Sequence, residues 1–192
     1  MTQLRDAIIT RVIARSLRRA LEITEFTLGE WRSRVLQEDE TSTIKVKIYK
    51  TMSYGAAEFM LNTVEEGALK AYVMYARPLV TDCKTDSCPV FTSTLPASRK
   101  QSCCVKLDLS NVTTIVKKVA LKAGVAPKSV NTRMLRRSTI ADAWQRNPDP
   151  SFRQKLSQLA GHSYETARRY YATFDTSEQS RKVVNTLDEY RQ

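Results

Sequence analysis

The chain has one histidine, five glycines and four cysteines in 192 residues, and acidic side chains are scarce beside basic ones. No run of 18 apolar residues occurs, which excludes a membrane-spanning helix and gives no reason to expect a membrane partner. The cysteines, Cys83, Cys88, Cys103 and Cys104, are spaced C-x4-C and then as an adjacent pair. That pattern does not match a familiar zinc site, because neighbouring cysteines rarely both ligate one ion. No metal is therefore expected. Without a secretory signal, the cysteines read as reduced thiols of an intracellular protein.

The acid deficit is the strongest compositional statement. Thirty-one Lys and Arg stand against 20 Asp and Glu, giving a net charge of +11 and a pI near 9.7. Such an excess is the electrostatic footprint of a nucleic-acid binder. Apolar residues make up 42% and charged ones 27%, so the chain can bury a core. Met1 to Leu21 is rich in arginine and poor in acid, like a mitochondrial transit peptide. A folded helix is the better reading, because its pattern runs on into a motif.

Periodicity predicts an α+β chain, mostly α, with one small antiparallel sheet in the first third. Residues 4–22 read as a helix, with Leu4, Ile8, Val12 or Ile13, and Leu17 at helical spacing. Over 43–49, Ile44, Val46 and Ile48 alternate with Lys45, Lys47 and Tyr49, as in a half-buried strand. A turn at Met52–Gly55 and the alternation of Ala57, Phe59 and Leu61 complete a hairpin. A helix over 63–76 should end before Pro78. Residues 79–107 read as irregular, with Val90-Phe91 as a short buried piece.

The remainder is helical in segments. Asp108 or Ser110 caps a helix carrying Val112, Ile115, Val116 and Val119, with Gly124 as its stop. The next helix runs from Ser129 to about Arg146 and breaks at Asn147-Pro148. Asp149-Pro150 is an N-cap followed by proline at the first helical position, and Gly161 ends that helix after Ala160. Ser163 caps a helix carrying tyrosines, and 177–190 form a final one.

Five separated blocks carry the chemistry. Arg19-Ala20-Leu21-Glu22 places an arginine three residues before an acid, and Phe26-Thr27-Leu28-Gly29-Glu30-Trp31 follows. Lys50 lies in Tyr49-Lys50-Thr51 at a strand end. Arg133-Met134-Leu135-Arg136-Arg137-Ser138 holds two basic groups three apart. Gly161-His162-Ser163 contains the single histidine, and Tyr171 lies nine residues beyond it. In this order and spacing the blocks resemble the tyrosine recombinase (phage integrase) family over roughly residues 10–175. The stretch Lys50-Thr51 with Ser53-Tyr54-Gly55-Ala56-Ala57, together with Arg77-Pro78, is most similar to Crypton-type eukaryotic recombinases.

The resemblance implies the catalytic-domain fold over 1–175 and a helical tail over 176–192. It implies a site-specific recombinase acting on double-stranded DNA without metal or small-molecule cofactor. Arg19 and Arg136 would hold the non-bridging oxygens by paired charge-assisted hydrogen bonds. His162 would add another hydrogen bond. Tyr171 would attack phosphorus to form a 3′-phosphotyrosine, and Lys50 would protonate the departing 5′ oxygen. Arg18, Lys45, Lys47, Arg137, Arg168 and Arg169 are the expected DNA-backbone contacts.

Two departures qualify the resemblance. Arg133 stands where the family usually has histidine, and a guanidinium cannot accept the tyrosine's proton. It can still bind phosphate and lower the phenol's pKa through its field. The family's preceding helical clamp domain has no counterpart in the 18 residues before Arg19, which suggests an isolated catalytic domain or a truncated copy. The competing expectation is a domesticated, non-catalytic DNA-binding module of the same fold. A nuclear location and self-association on DNA through the tail, with Val183, Val184 and Leu187 on one face, also follow from the resemblance.

Overall fold

The computed structural model describes all residues except 1, 18, 48–56, 94–104, 127–129 and 172–192. Ile48, Tyr49, the turn at Met52–Gly55, Cys103, Cys104, Ser129 and the helix expected over 177–190 therefore lie outside the described residues. The chain divides into two compact units, Met1–Arg136 and Arg137–Gln192.

In the first unit, α1 (Thr2–Ser16), α2 (Ala20–Glu25) and α3 (Leu28–Arg32) precede a three-stranded antiparallel sheet. Its strands are β1 (Val35–Leu36), β2 (Ser42–Val46) and β3 (Ala57–Leu61), in that spatial order. The register pairs Ile44 with Phe59 and Val46 with Ala57, so the alternation seen in sequence becomes one buried face. Then come α4 (Thr63–Ala71) and α5 (Leu109–Lys122), with α6 (Thr132–Arg146) crossing into the second unit.

Helix α1 packs on α5, α4 and β3, and α2 packs on α5. Ile9, Ile13, Ile23, Val112 and Val116 are fully buried where these helices meet. Phe26 lies 5.9 Å from Phe59 and 6.2 Å from Phe91, tying the sheet to the segment expected to be irregular. Within that segment Val90 and Phe91 are buried, as their sequence suggested.

The single helix expected over 4–22 is two helices. Leu17 adopts φ +57°, the left-handed region, and the chain restarts at Ala20. The helix expected to end before Pro78 instead continues through a π-helical turn, Tyr72–Ala76, and a 3-10 turn, Arg77–Leu79. Pro78 is accommodated in the first turn of that 3-10 segment, where its missing N–H needs no partner. The cap signals fare better. Asp108 accepts from the Asn111 N–H at 2.7 Å, and Asp149 accepts from Ser151 and Phe152 at 3.2 and 3.0 Å. The first turn of α6 is capped by Asn131, which accepts from the Met134 N–H at 2.9 Å.

Three buried acids knit the first unit together. Glu65 receives Arg11 and Arg15 at 2.9 and 3.0 Å and caps α4 through the Asn62 N–H. Glu66 receives Arg34 and the Ser42 hydroxyl, each at 2.7 Å. Glu30 accepts from the Thr27 N–H at 2.9 Å and the Lys47 N–H at 2.8 Å, fixing α3 to the end of β2. Arg77, only 3% exposed, donates to the carbonyls of Cys83 at 2.6 Å, Pro89 at 3.0 Å and Val90 at 3.2 Å. That guanidinium organises a segment with little regular structure of its own. Arg5 bonds buried Asp6 and the Thr92 carbonyl. Burial pushes the nearby Tyr72 phenol up, opposed chiefly by the positive charge of Arg5.

The second unit holds the rest of α6, α7 (Pro150–Leu159) and a helical run over 164–171. Its centre is Trp144, whose ring lies 5.9 Å from both Tyr164 and Tyr171. Arg153 stacks 4.9 Å over the same ring and donates to the Trp144 carbonyl at 2.7 Å.

Candidate active site

Within the first unit the turn between α1 and α2 gathers two of the expected catalytic arginines. Arg19 is the N-cap of α2, in extended conformation at φ −83° and ψ 150°. Its N–H donates to the Glu22 carboxylate at 3.2 Å, and its carbonyl accepts from the Glu22 N–H at 3.0 Å. The acid three residues after the arginine thus fixes the arginine's backbone, a physical reason for the R-x-x-E spacing.

Two residues upstream, the carbonyl of Leu17 accepts from Nε of Arg136 at 2.7 Å, across 119 residues of sequence. A leucine in left-handed conformation carries a strain of roughly 1–2 kcal/mol, because Cβ crowds the carbonyl. The Leu17 side chain is nevertheless buried, at 5% exposed, and its carbonyl is engaged. Arg136 therefore bonds the chain two residues before Arg19, and both arginines are half-buried. A guanidinium held this way is suited to receiving a phosphodiester oxygen.

Arg133 lies one turn before Arg136 on α6 and is exposed. Lys45 and Lys47 are exposed on β2 and just beyond it, with Lys45 lying 3.7 Å from Glu58 on the neighbouring strand. Lys50 and Arg18 lie outside the described residues.

In the second unit the end of α7 sets His162. The Gly161 N–H donates to the Gln158 carbonyl and the His162 N–H to the Ser157 carbonyl, both at 2.9 Å. Gly161 sits at φ +65°. This paired bonding is the Schellman termination, and it needs a residue without Cβ penalty at the left-handed position. Glycine before histidine is thus a geometric requirement that fixes where the imidazole leaves the chain.

Ser163 accepts from the Thr166 N–H at 3.1 Å and starts the helical run that carries both tyrosines. Tyr171 is buried, 3% exposed, against Trp144, whereas Tyr170 is 54% exposed with Arg137 5.9 Å over its ring. Arg137, Arg168 and Arg169 are all exposed. Leu17 entered the sequence reading only as an apolar position of a helix, and Trp144 was not singled out at all. A leucine forced to positive φ has no local signature, and a tryptophan at helical spacing reads as core. Among the described residues no three His, Cys, Asp or Glu side chains gather as metal ligands.

These helices, with their small antiparallel sheet near the N-terminus, make up the fold of the tyrosine recombinase catalytic domain. Among solved structures the chain is similar to the XerH site-specific recombinase bound to its difH substrate before cleavage. The TM-score is 0.65 and the identity 19%, over 87% of this chain and 43% of that one. XerH bound to palindromic difH after cleavage matches with TM-score 0.68 and 19% identity, over 94% of this chain and 45% of that one. The XerA recombinase matches with TM-score 0.60 and 22% identity, over 94% of this chain and 58% of that one. The chain thus spans about half the length of these recombinases. No family model and no curated protein matches the sequence.

Proposed function

We propose that the chain is the catalytic domain of a Crypton-like tyrosine recombinase, which cleaves and rejoins double-stranded DNA through a 3′-phosphotyrosine. The observation that supports this reading is the bond from Arg136 to the Leu17 carbonyl, two residues before the α2 N-cap Arg19, in a fold shared with DNA-bound recombinases. In the reaction both arginines bind the non-bridging oxygens and steady the pentacoordinate phosphorus. His162 donates to the same phosphate. The Tyr171 oxygen forms a bond to phosphorus as the bond to the 5′ oxygen breaks, and Lys50 gives that oxygen its proton. Arg133 stabilises phenolate charge but cannot take up the phenolic proton, which passes to solvent. Residues 1–175 form the catalytic body, and the segment 176–192 joins neighbouring subunits on DNA. The protein works in the nucleus.

A non-catalytic DNA-binding module is the second reading, favoured by Arg133 in the family's histidine position and by the burial of Tyr171. Nicked suicide duplexes separate the two. A covalent adduct lost in Tyr171→Phe supports the enzyme, and an adduct lost in Tyr170→Phe moves the nucleophile by one position. DNA retention in gel shifts without any adduct supports the binding module. Arg136→Ala should slow cleavage by about 3 kcal/mol in barrier, the scale of one lost oxyanion contact.

A further inference from the structure

We propose that Leu17 is a positioning residue for the phosphate site, its strained backbone setting the orientation of Arg136. The inference rests on the recombinase reading of that site. Nε is the guanidinium donor nearest the stem, so a hydrogen bond there fixes the plane of the group and the direction of its terminal fork. Here that bond runs to the Leu17 carbonyl at 2.7 Å. The direction of the carbonyl in turn depends on φ +57° at Leu17. A leucine keeps that conformation only while its surroundings hold it, and burial of the side chain supplies the hold.

The same turn presents Arg19, whose N–H and carbonyl are both bonded to Glu22. One short segment therefore fixes the side chain of one arginine and the backbone of the other. The plane of the Arg136 fork is set before DNA arrives, and loosening Leu17 should degrade transition-state binding more than ground-state DNA binding.

The test is Leu17→Gly, which permits the left-handed conformation without enforcing it, assayed alone and in an Arg136→Ala background. Single-turnover cleavage of a suicide duplex should slow by roughly ten- to a hundredfold, the scale of a small misplacement of a catalytic group. DNA affinity should stay within about twofold, and the change should vanish when Arg136 is already alanine. Equal slowing in both backgrounds would mean general loosening and would overturn the inference. Wild-type cleavage by Leu17→Gly beside a crippled Arg136→Ala would overturn it while leaving the recombinase reading intact.

A second measurement serves if Leu17→Gly does not fold or if wild type forms no adduct. The Nε–H resonance of Arg136, assigned by its loss in Arg136→Lys, should exchange with water at least tenfold more slowly than exposed arginines. Exchange at the exposed rate overturns the positioning role. Absence of an adduct with slow exchange overturns only the enzymatic reading.

Discussion

Tyr171 presents a conflict that can be measured. The proposed nucleophile must meet its phosphate, yet this ring is 3% exposed and packed 5.9 Å from Trp144. Withdrawing a buried aromatic side chain costs about 1.5–3 kcal/mol. Separating the aromatic pair adds about 0.5–1.5 kcal/mol. The sum, about 2–4.5 kcal/mol, leaves roughly one molecule in 30 to one in 2,000 with the phenol available. Global unfolding of an ordinary domain costs about 5–15 kcal/mol, so local release is the cheaper route.

Tetranitromethane reads this equilibrium without DNA. In Tyr171→Phe, the remaining Tyr170 should nitrate as an exposed tyrosine. In Tyr170→Phe, Tyr171 should nitrate about 30 to 2,000 times more slowly by the same arithmetic. Replacing Trp144 by leucine removes at least the pair energy and should speed Tyr171 modification by about 2- to 12-fold. If release limits cleavage, the adduct rate rises by the same factor. Nitration of Tyr171 at the Tyr170 rate would refute the reasoning. So would a rate unmoved by Trp144→Leu in a variant that melts well above the assay temperature.

Three further outcomes follow from the fold. Arg77→Met leaves the carbonyls of Cys83, Pro89 and Val90 without their donor and should lower the urea-derived unfolding energy by about 3–5 kcal/mol; Arg77→Lys should recover only part. Gly29→Ala places a Cβ 2.9 Å from Cβ of Asp86, beside backbone held by the Gly29 N–H, and should cost about 1–3 kcal/mol in the same assay. Hydrogen bonds to Ser151 and Phe152 hold the Asp149 carboxyl below its ordinary value, and bonds from Asn111 and Ser110 do the same for Asp108. Their folded pKa values lie below the unfolded ones, so the stabilisation is complete above about pH 4 and disappears as pH falls through the folded values. Asp108→Asn with Asp149→Asn should flatten the acid limb of a melting-temperature profile, leaving the neutral end little changed.

Features fixed by neighbours in sequence were legible. Asp149-Pro150, Asp108 and Ser163 act as caps because a short polar side chain reaches an N–H two or three residues on. Gly161 before His162 was legible for the same reason, as a helix stop needing positive φ. The strand alternation held because Ile44, Val46, Phe59 and Leu61 bury one face whatever lies across from them. Thr27 and Glu30 form a capping box whose signature was present in T-x-x-E, but its further duty, accepting the Lys47 N–H, depends on a strand arriving from elsewhere.

What sequence missed was set by distant groups acting on ordinary residues. Helical periodicity runs smoothly through Leu17, and no propensity predicts a break at leucine. A break there becomes favourable only where a buried pocket holds the side chain and a guanidinium from 119 residues away takes the carbonyl. Arg77 likewise entered the sequence reading only as part of Arg77-Pro78, and its burial is set by three carbonyls of a segment without helix or strand. In both places an arginine satisfies backbone oxygens that regular structure leaves unpaired. The basic excess of this chain therefore has two destinations. Part of it is exposed to solvent, as at Arg133, Arg137 and Arg168, and part is consumed in making the fold. On the proposed DNA-binding function, net charge alone overstates the electrostatic grip, and the salt dependence of binding should track the exposed arginines and lysines, not the full +11.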